Sequence, residues 1–90
     1  MKREPLHIRY DRLSDVLYVE TPRFGPVVGT EGAPGLIWEY LDDDGSLVGL
    51  TVMDYHAYWM PRLPQLVNEM SRHFHVPANK ARELLEAANG

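Results

Sequence analysis

Three groups of side chains in this 90-residue chain are of types that could do chemistry. Asp11, Asp15 and Glu31 are carboxylates that a long loop folding over the first strands would gather, and paired carboxylates do acid–base work when their environments split their pKa values. The alternative for the same residues is structural: Asp11 and Asp15 bond the backbone of a turn, and Glu31 is solvated. Of the four histidines, His56, His73 and His75 are the candidates for an imidazole metal site or a general base. Positions two apart lie roughly 200° apart around a helix. His73 and His75 could therefore share an ion only if a helix ended between them, which Pro77 permits.

The third group is "DDDG" at residues 42–45, three successive carboxylates before a glycine. A helix–loop–helix calcium loop needs oxygen ligands at positions 1, 3 and 5, glycine at 6 and a bidentate Glu at 12. With Gly45 at position 6, Tyr40 falls at 1, Asp42 at 3, Asp44 at 5 and Thr51 at 12, so two required ligands are missing. Asp-Gly between two apolar runs is instead a strong hairpin signal, and the stretch is read as a turn.

The elements that would position these residues follow from periodicity. "LHIRY" at 6–10 alternates apolar and polar residues, and "VLYVE" follows a short polar stretch, so the two form a hairpin. "LIWEYL" and "SLVGLTVM" flank the DDDG turn as a second hairpin. Residues 21–35, with three prolines and four glycines, read as a long irregular connection with at most a short strand at Val27 and Val28. "HAYWM" is a turn-like bridge. Beyond it, Leu63, Leu66, Val67, Met70 and Phe74 recur at helical spacing, and a second helix after Pro77 turns Ala81, Leu84, Leu85 and Ala88 inward, with "NG" as its stop. The predicted fold is α+β: a four-stranded antiparallel sheet of two sequential hairpins, with two C-terminal helices on one face. Residues 1–55 supply the sheet and 61–89 the helices of one domain.

Composition narrows the function. With no cysteine there is no disulfide framework, thiolate zinc site or cysteine nucleophile, which suits a reducing cytoplasm. The N-terminus lacks a signal-peptide core, and no run approaches the roughly 18 apolar residues of a membrane span. Residues 1–55 carry five Lys/Arg against ten Asp/Glu, so the sheet half repels nucleic acid. Residues 56–90 carry four against three. Asn79, Lys80 and Arg82 on the second of two tightly joined helices could read DNA, but packing helices account for the same pattern.

Leu6, Ile8, Leu17, Val19, Val48, Leu50 and Val52 supply one apolar sheet face for the helices. Val16, Tyr18 and Met53 fall on the other face, and with Trp38 and Tyr40 they form the candidate interface, aromatic residues and Met being favoured in interface cores. Tyr55, Tyr58 and Trp59 enlarge the same aromatic group.

"IRYDRLSDVLYV" followed by "GLIWEYLDDDGSLVGLTVMD" resembles domain-of-unknown-function family 2283 over residues 6–54. The resemblance rests on Tyr10 and Asp11, on "DVLYV" from Asp15, on Thr30 and Glu31, and on "DGSLVGLTVMD" ending at Asp54. Thr51 stands where the family usually has Glu, and Val16 where a smaller residue is common. The resemblance implies a fold and names no catalytic residue. Through relatives encoded beside small toxin-like proteins it also implies an antitoxin or partner-binding role. The function expected is a non-catalytic interaction module without a cofactor, a homodimer that could also bind a small basic protein. The alternative is a small-ligand binder or enzyme using a cleft between the 21–35 loop and the helices, with Asp11, Asp15, Glu31 and His56 as its polar groups.

Overall fold

In a computed structural model of the chain, residues 6–89 are described. Five strands come first: β1 (His7–Asp11), β2 (Val16–Glu20), β3 (Val27–Glu31), β4 (Leu36–Leu41) and β5 (Leu47–Met53). A π-helical turn (Tyr55–Trp59) and a 3-10 turn (Met60–Arg62) lead into α1 (Leu63–Phe74) and α2 (Ala78–Asn89). All strand pairings are antiparallel, in the order β1-β2-β5-β4-β3. β5 is central, joining the first hairpin to the β3–β4–β5 meander. Gly90, half of the "NG" stop signal, lies outside the described residues.

The α+β class, the antiparallel sheet and the two C-terminal helices agree with the sequence reading, but the sheet has five strands rather than four. The extra strand is β3, inside the segment read as an irregular connection. Every residue of β3 is exposed, so no alternation of polar and apolar residues marks it. Its position at the sheet edge also tolerates the neighbouring Pro26 and the internal Gly29.

The core lies between one sheet face and the helices. Leu17, Val19, Leu36, Trp38, Leu50 and Val52 pack there against Leu66, Val67 and Met70 of α1 and Ala81 and Leu85 of α2. Burying each such aliphatic side chain stabilises the fold by about 1.5–3 kcal/mol. Tyr55 and Trp59 join this core through the π-helical turn, where the sequence suggested only a bridge.

Three residues lie on a different face from the one expected. Trp38 is buried beneath the helices, stacked on His73 with ring centroids 3.8 Å apart, and Tyr40 packs against the same core. Both share the alternation of Leu36, and the sequence could not say which face of β4 meets the helices. Val48 departs the other way. Pairing of β4 with β5 passes from Glu39↔Gly49 to Tyr40↔Leu47, so Val48 is the extra residue of a bulge. Leu47 therefore meets the core, and Val48 turns to the opposite face beside Glu39 and Val27.

Candidate functional site

Asp15 is the best-connected of the carboxylates picked out in the sequence. The β1–β2 turn ends with Asp15 in the left-handed region at φ 57°, a conformation that short polar side chains tolerate. Its Oδ1 accepts hydrogen bonds from the Tyr10 hydroxyl and the His56 amide, both at 2.7 Å, and Oδ2 accepts from the Ala57 amide at 3.1 Å. Its main-chain carbonyl accepts from the Tyr55 amide at 3.0 Å. The carboxylate thereby caps the open N–H groups of the π-helical turn from a distant segment. The Tyr10 hydroxyl, followed by the two amides, holds its pKa below the usual 3.8, and the same contact raises that of Tyr10.

The other carboxylates are also engaged locally. Asp11 accepts from the Leu13 amide at 3.1 Å, and bonds from Ser14 and Leu13 lower its pKa. Glu31 accepts from the Gly35 amide at 3.2 Å across the β3–β4 turn. Asp15 and His56 are brought together, but only through the His56 backbone. Asp11 and Glu31 bond their own turns. Cavities of about 210, 170 and 420 Å³ are present, and none of these four residues lines any of them. The cleft of about 210 Å³ does lie between the start of the 21–35 segment and the helices, but its lining is Leu6, Thr21, Leu47 and residues 73–76.

The DDDG segment is a tight turn. Asp44 accepts from the Ser46 amide at 2.9 Å and pairs with Arg23 at 3.1 Å, and its pKa is lowered chiefly by Ser46. The Asp42 amide donates to the Pro26 carbonyl at 2.9 Å, tying the turn to the loop before β3. His73, besides stacking on Trp38, donates from Nδ1 to the Glu69 carbonyl at 2.9 Å. His75 occupies the left-handed cap of α1 at φ 57°. Among the described residues no group of three or more His, Asp or Glu is arranged to hold a metal ion. Asn79, Lys80 and Arg82 are exposed on α2, interspersed with the equally exposed Glu83 and Glu86, so that surface carries both signs.

The sheet face away from the helices has a chemistry of its own. Val16 is buried, Met53 is exposed, and half-buried Tyr18 carries the Arg9 guanidinium 4.3 Å above its ring. Across the same face run Glu20, Gly49 and Glu39 in register. Gly49 has no side chain, and the Glu39 carboxylate lies over it. Burial and then the nearby Glu20 charge push the Glu39 pKa above 4.5, against a long 3.5 Å bond from the Thr51 hydroxyl. The largest of the three cavities, about 420 Å³, opens there under residues 21–24.

Sequence reasoning missed one surface. Phe24, Val27 and Val28 are 94%, 48% and 52% exposed, and all three lie on or just before the edge strand β3. The available signal was large apolar residues in a Pro/Gly-rich segment that a buried element would have had to absorb.

Among the described residues no helix is long and apolar enough to cross a membrane. No curated protein and no solved structure matches the chain. The family described as "Protein of unknown function (DUF2283)" matches residues 7–55, from the start of β1 through Tyr55. That span contains Tyr10, Asp11 and Asp15, the DDDG turn and the central β5. The match covers more than half of the 90 residues, and the chain belongs to the DUF2283 family.

Proposed function

We propose that this domain is a non-catalytic association module whose first partner is a second copy of itself. The observation that carries the reading is the exposure of Val27 and Val28, which present apolar side chains on both faces of the edge strand β3, with exposed Phe24 just before it. β3 is the last strand of the sheet, so its outer N–H and C=O groups have no neighbouring strand among the described residues. Proteins usually blunt such an edge with Lys, Pro or an inward charge, and within β3 the only charged residue is Glu31 at its end. Two copies of β3 running antiparallel across a two-fold axis would satisfy both edges and continue the sheet from one subunit into the next. The engagement of Asp11, Asp15 and Glu31 in turns supports the non-catalytic part, because each already has a structural use.

Sedimentation equilibrium tests this reading. The wild type is expected to be dimeric at about 100 micromolar, since a stable pair should bind more tightly than that. Val28→Lys should be monomeric with an unchanged circular dichroism spectrum, because Val28 is exposed and the charge acts on the edge alone. Tyr18→Glu separates edge pairing from packing of the open sheet face: it should leave an edge dimer intact and break a face-to-face one. A wild type that stays monomeric at that concentration removes the self-association reading.

A second reading is favoured by the adjacent Glu20 and Glu39 carboxylates at the mouth of the 420 Å³ cavity. A small basic protein in an antitoxin-like pair would find complementary charge there. Salt-sensitive capture of such a protein from the native host, lost in Glu20→Gln/Glu39→Gln, is the expected result. The lack of cysteine makes the reducing cytoplasm the compartment proposed for either role.

A further inference from the structure

The Trp59 indole is the one buried side-chain polar group left without a partner among the described residues. The residue is only 1% exposed, and a buried donor without an acceptor carries a desolvation cost that folded proteins usually avoid. Its Nε1 faces Gly35, where an added methyl would lie 3.6 Å away. Gly35 itself is fully used: its amide donates to Glu31 and its carbonyl accepts from the Met53 amide at 2.8 Å. Beside this point lies a cavity of about 170 Å³ lined by Pro34, Gly35, Met53, Asp54, Tyr58 and Trp59.

We infer that this cavity is a peptide-binding site that takes a proline of an extended partner segment, with a partner main-chain carbonyl accepting from Trp59 Nε1. Its size decides against a cofactor or drug-sized ligand, which needs about 300 Å³ or more. One residue's side chain fits. The lining is aromatic and apolar: the Tyr58 and Trp59 rings meet edge to face with centroids 5.1 Å apart, and Pro34 adds a further apolar wall. The Tyr58 ring is held by Arg62, whose guanidinium lies 3.9 Å from the ring centroid and donates to the Tyr58 carbonyl at 2.8 Å.

Proline is the residue that suits one donor in an apolar corner, because it brings no N–H that would need an acceptor. Polyproline segments also have no internal hydrogen bonds, so their carbonyls are free to accept. An anionic group is disfavoured by Asp54 on the rim. Nε1 is itself closed to solvent, so the carbonyl reaches it only as the cavity wall opens locally; of the lining side chains, Met53 and Tyr58 are 42% and 39% exposed. The site shares no residue with β3, so it stands whether or not the chain self-associates.

The test is titration of the full chain with a decameric polyproline peptide, followed by the two indole N–H resonances in a ¹H–¹⁵N spectrum. The expected result is a saturable shift of the Trp59 resonance at peptide concentrations below about 1 mM, with the Trp38 resonance as the unmoved internal control. Tyr58→Ala, which removes an exposed ring and leaves the core intact, should weaken binding about tenfold. Trp59→Phe should do the same where it folds. Absence of a saturable Trp59 shift overturns the site, as does a shift of equal strength in Tyr58→Ala. An equal response to N-methylacetamide would overturn the proline specificity.

Discussion

At the scale of single residues, Asp15 does the most, and its work is structural. Replacing it with Ala removes the cap of the π-helical turn and leaves Tyr10 without its acceptor, for an expected loss of about 1–2 kcal/mol in urea unfolding. Asp15→Asn should lose less, since the amide oxygen can still accept. The pKa of Asp15 is depressed in the fold, so its contribution is fully present above the unfolded value near 3.8 and is lost as pH falls through the folded value. Glu39 has the opposite sign. Its pKa is raised above 4.5, so its charge opposes folding at neutral pH and the penalty is relieved as pH falls through the folded value. Glu39→Gln should therefore raise the urea midpoint at pH 7 and leave it nearly unchanged at pH 3. A midpoint lowered at pH 7 would show that the carboxylate has a stabilising partner.

At the scale of elements, the DDDG turn and the β4–β5 bulge decide how the central strand is presented. Gly45 has φ +74°, with no atom near the position a side chain would take, so its substitution is opposed by backbone strain alone. Gly45→Val should cost about 1–2 kcal/mol, whereas replacing Asp42 and Asp43 together with Asn should change stability by under about 0.5 kcal/mol. Thermal unfolding of the two variants makes the comparison, and micromolar calcium affinity by calorimetry would contradict the turn assignment. The turn was legible because Asp-Gly between alternating apolar runs has a local cause. The bulge was not, because it lies in the relative register of two strands, and a one-residue slip moved Val48 away from the helices without leaving a trace in either strand's own sequence.

At the scale of the whole molecule, α1 and α2 complete the core and are not an appendage. They cover Leu17, Val19, Leu50 and Val52, all fully buried. At about 1.5–3 kcal/mol for each such side chain, exposing that face costs as much as the roughly 5–15 kcal/mol by which domains are usually stable. A chain of residues 1–60 should therefore show no cooperative thermal transition by circular dichroism. A sharp transition in that fragment would mean that the sheet holds together without the helices.

What the sequence alone determined is whatever has a local physical cause. Period-2 and period-3.6 patterns placed β1, β2, β4, β5 and both helices, and Asp-Gly placed a turn. The resemblance built on Tyr10, Asp11, Asp15 and "DGSLVGLTVMD" led to the family. Tertiary structure decided the rest. The sequence allowed no more than a short strand at Val27 and Val28, and β3 showed its full extent to Glu31 only as the fifth strand of a sheet, because a strand exposed on both faces has no alternation to read. Trp38 and Tyr40 turned out to face the helices because face choice depends on what packs against a sheet, which its own alternation does not encode. Asp15 reached His56 and Ala57 across 41 and 42 residues of chain, and the Trp59 indole came to rest against Gly35. Contacts between such distant segments are created by burial of the shared core, which brings together groups whose spacing along the chain carries no signal.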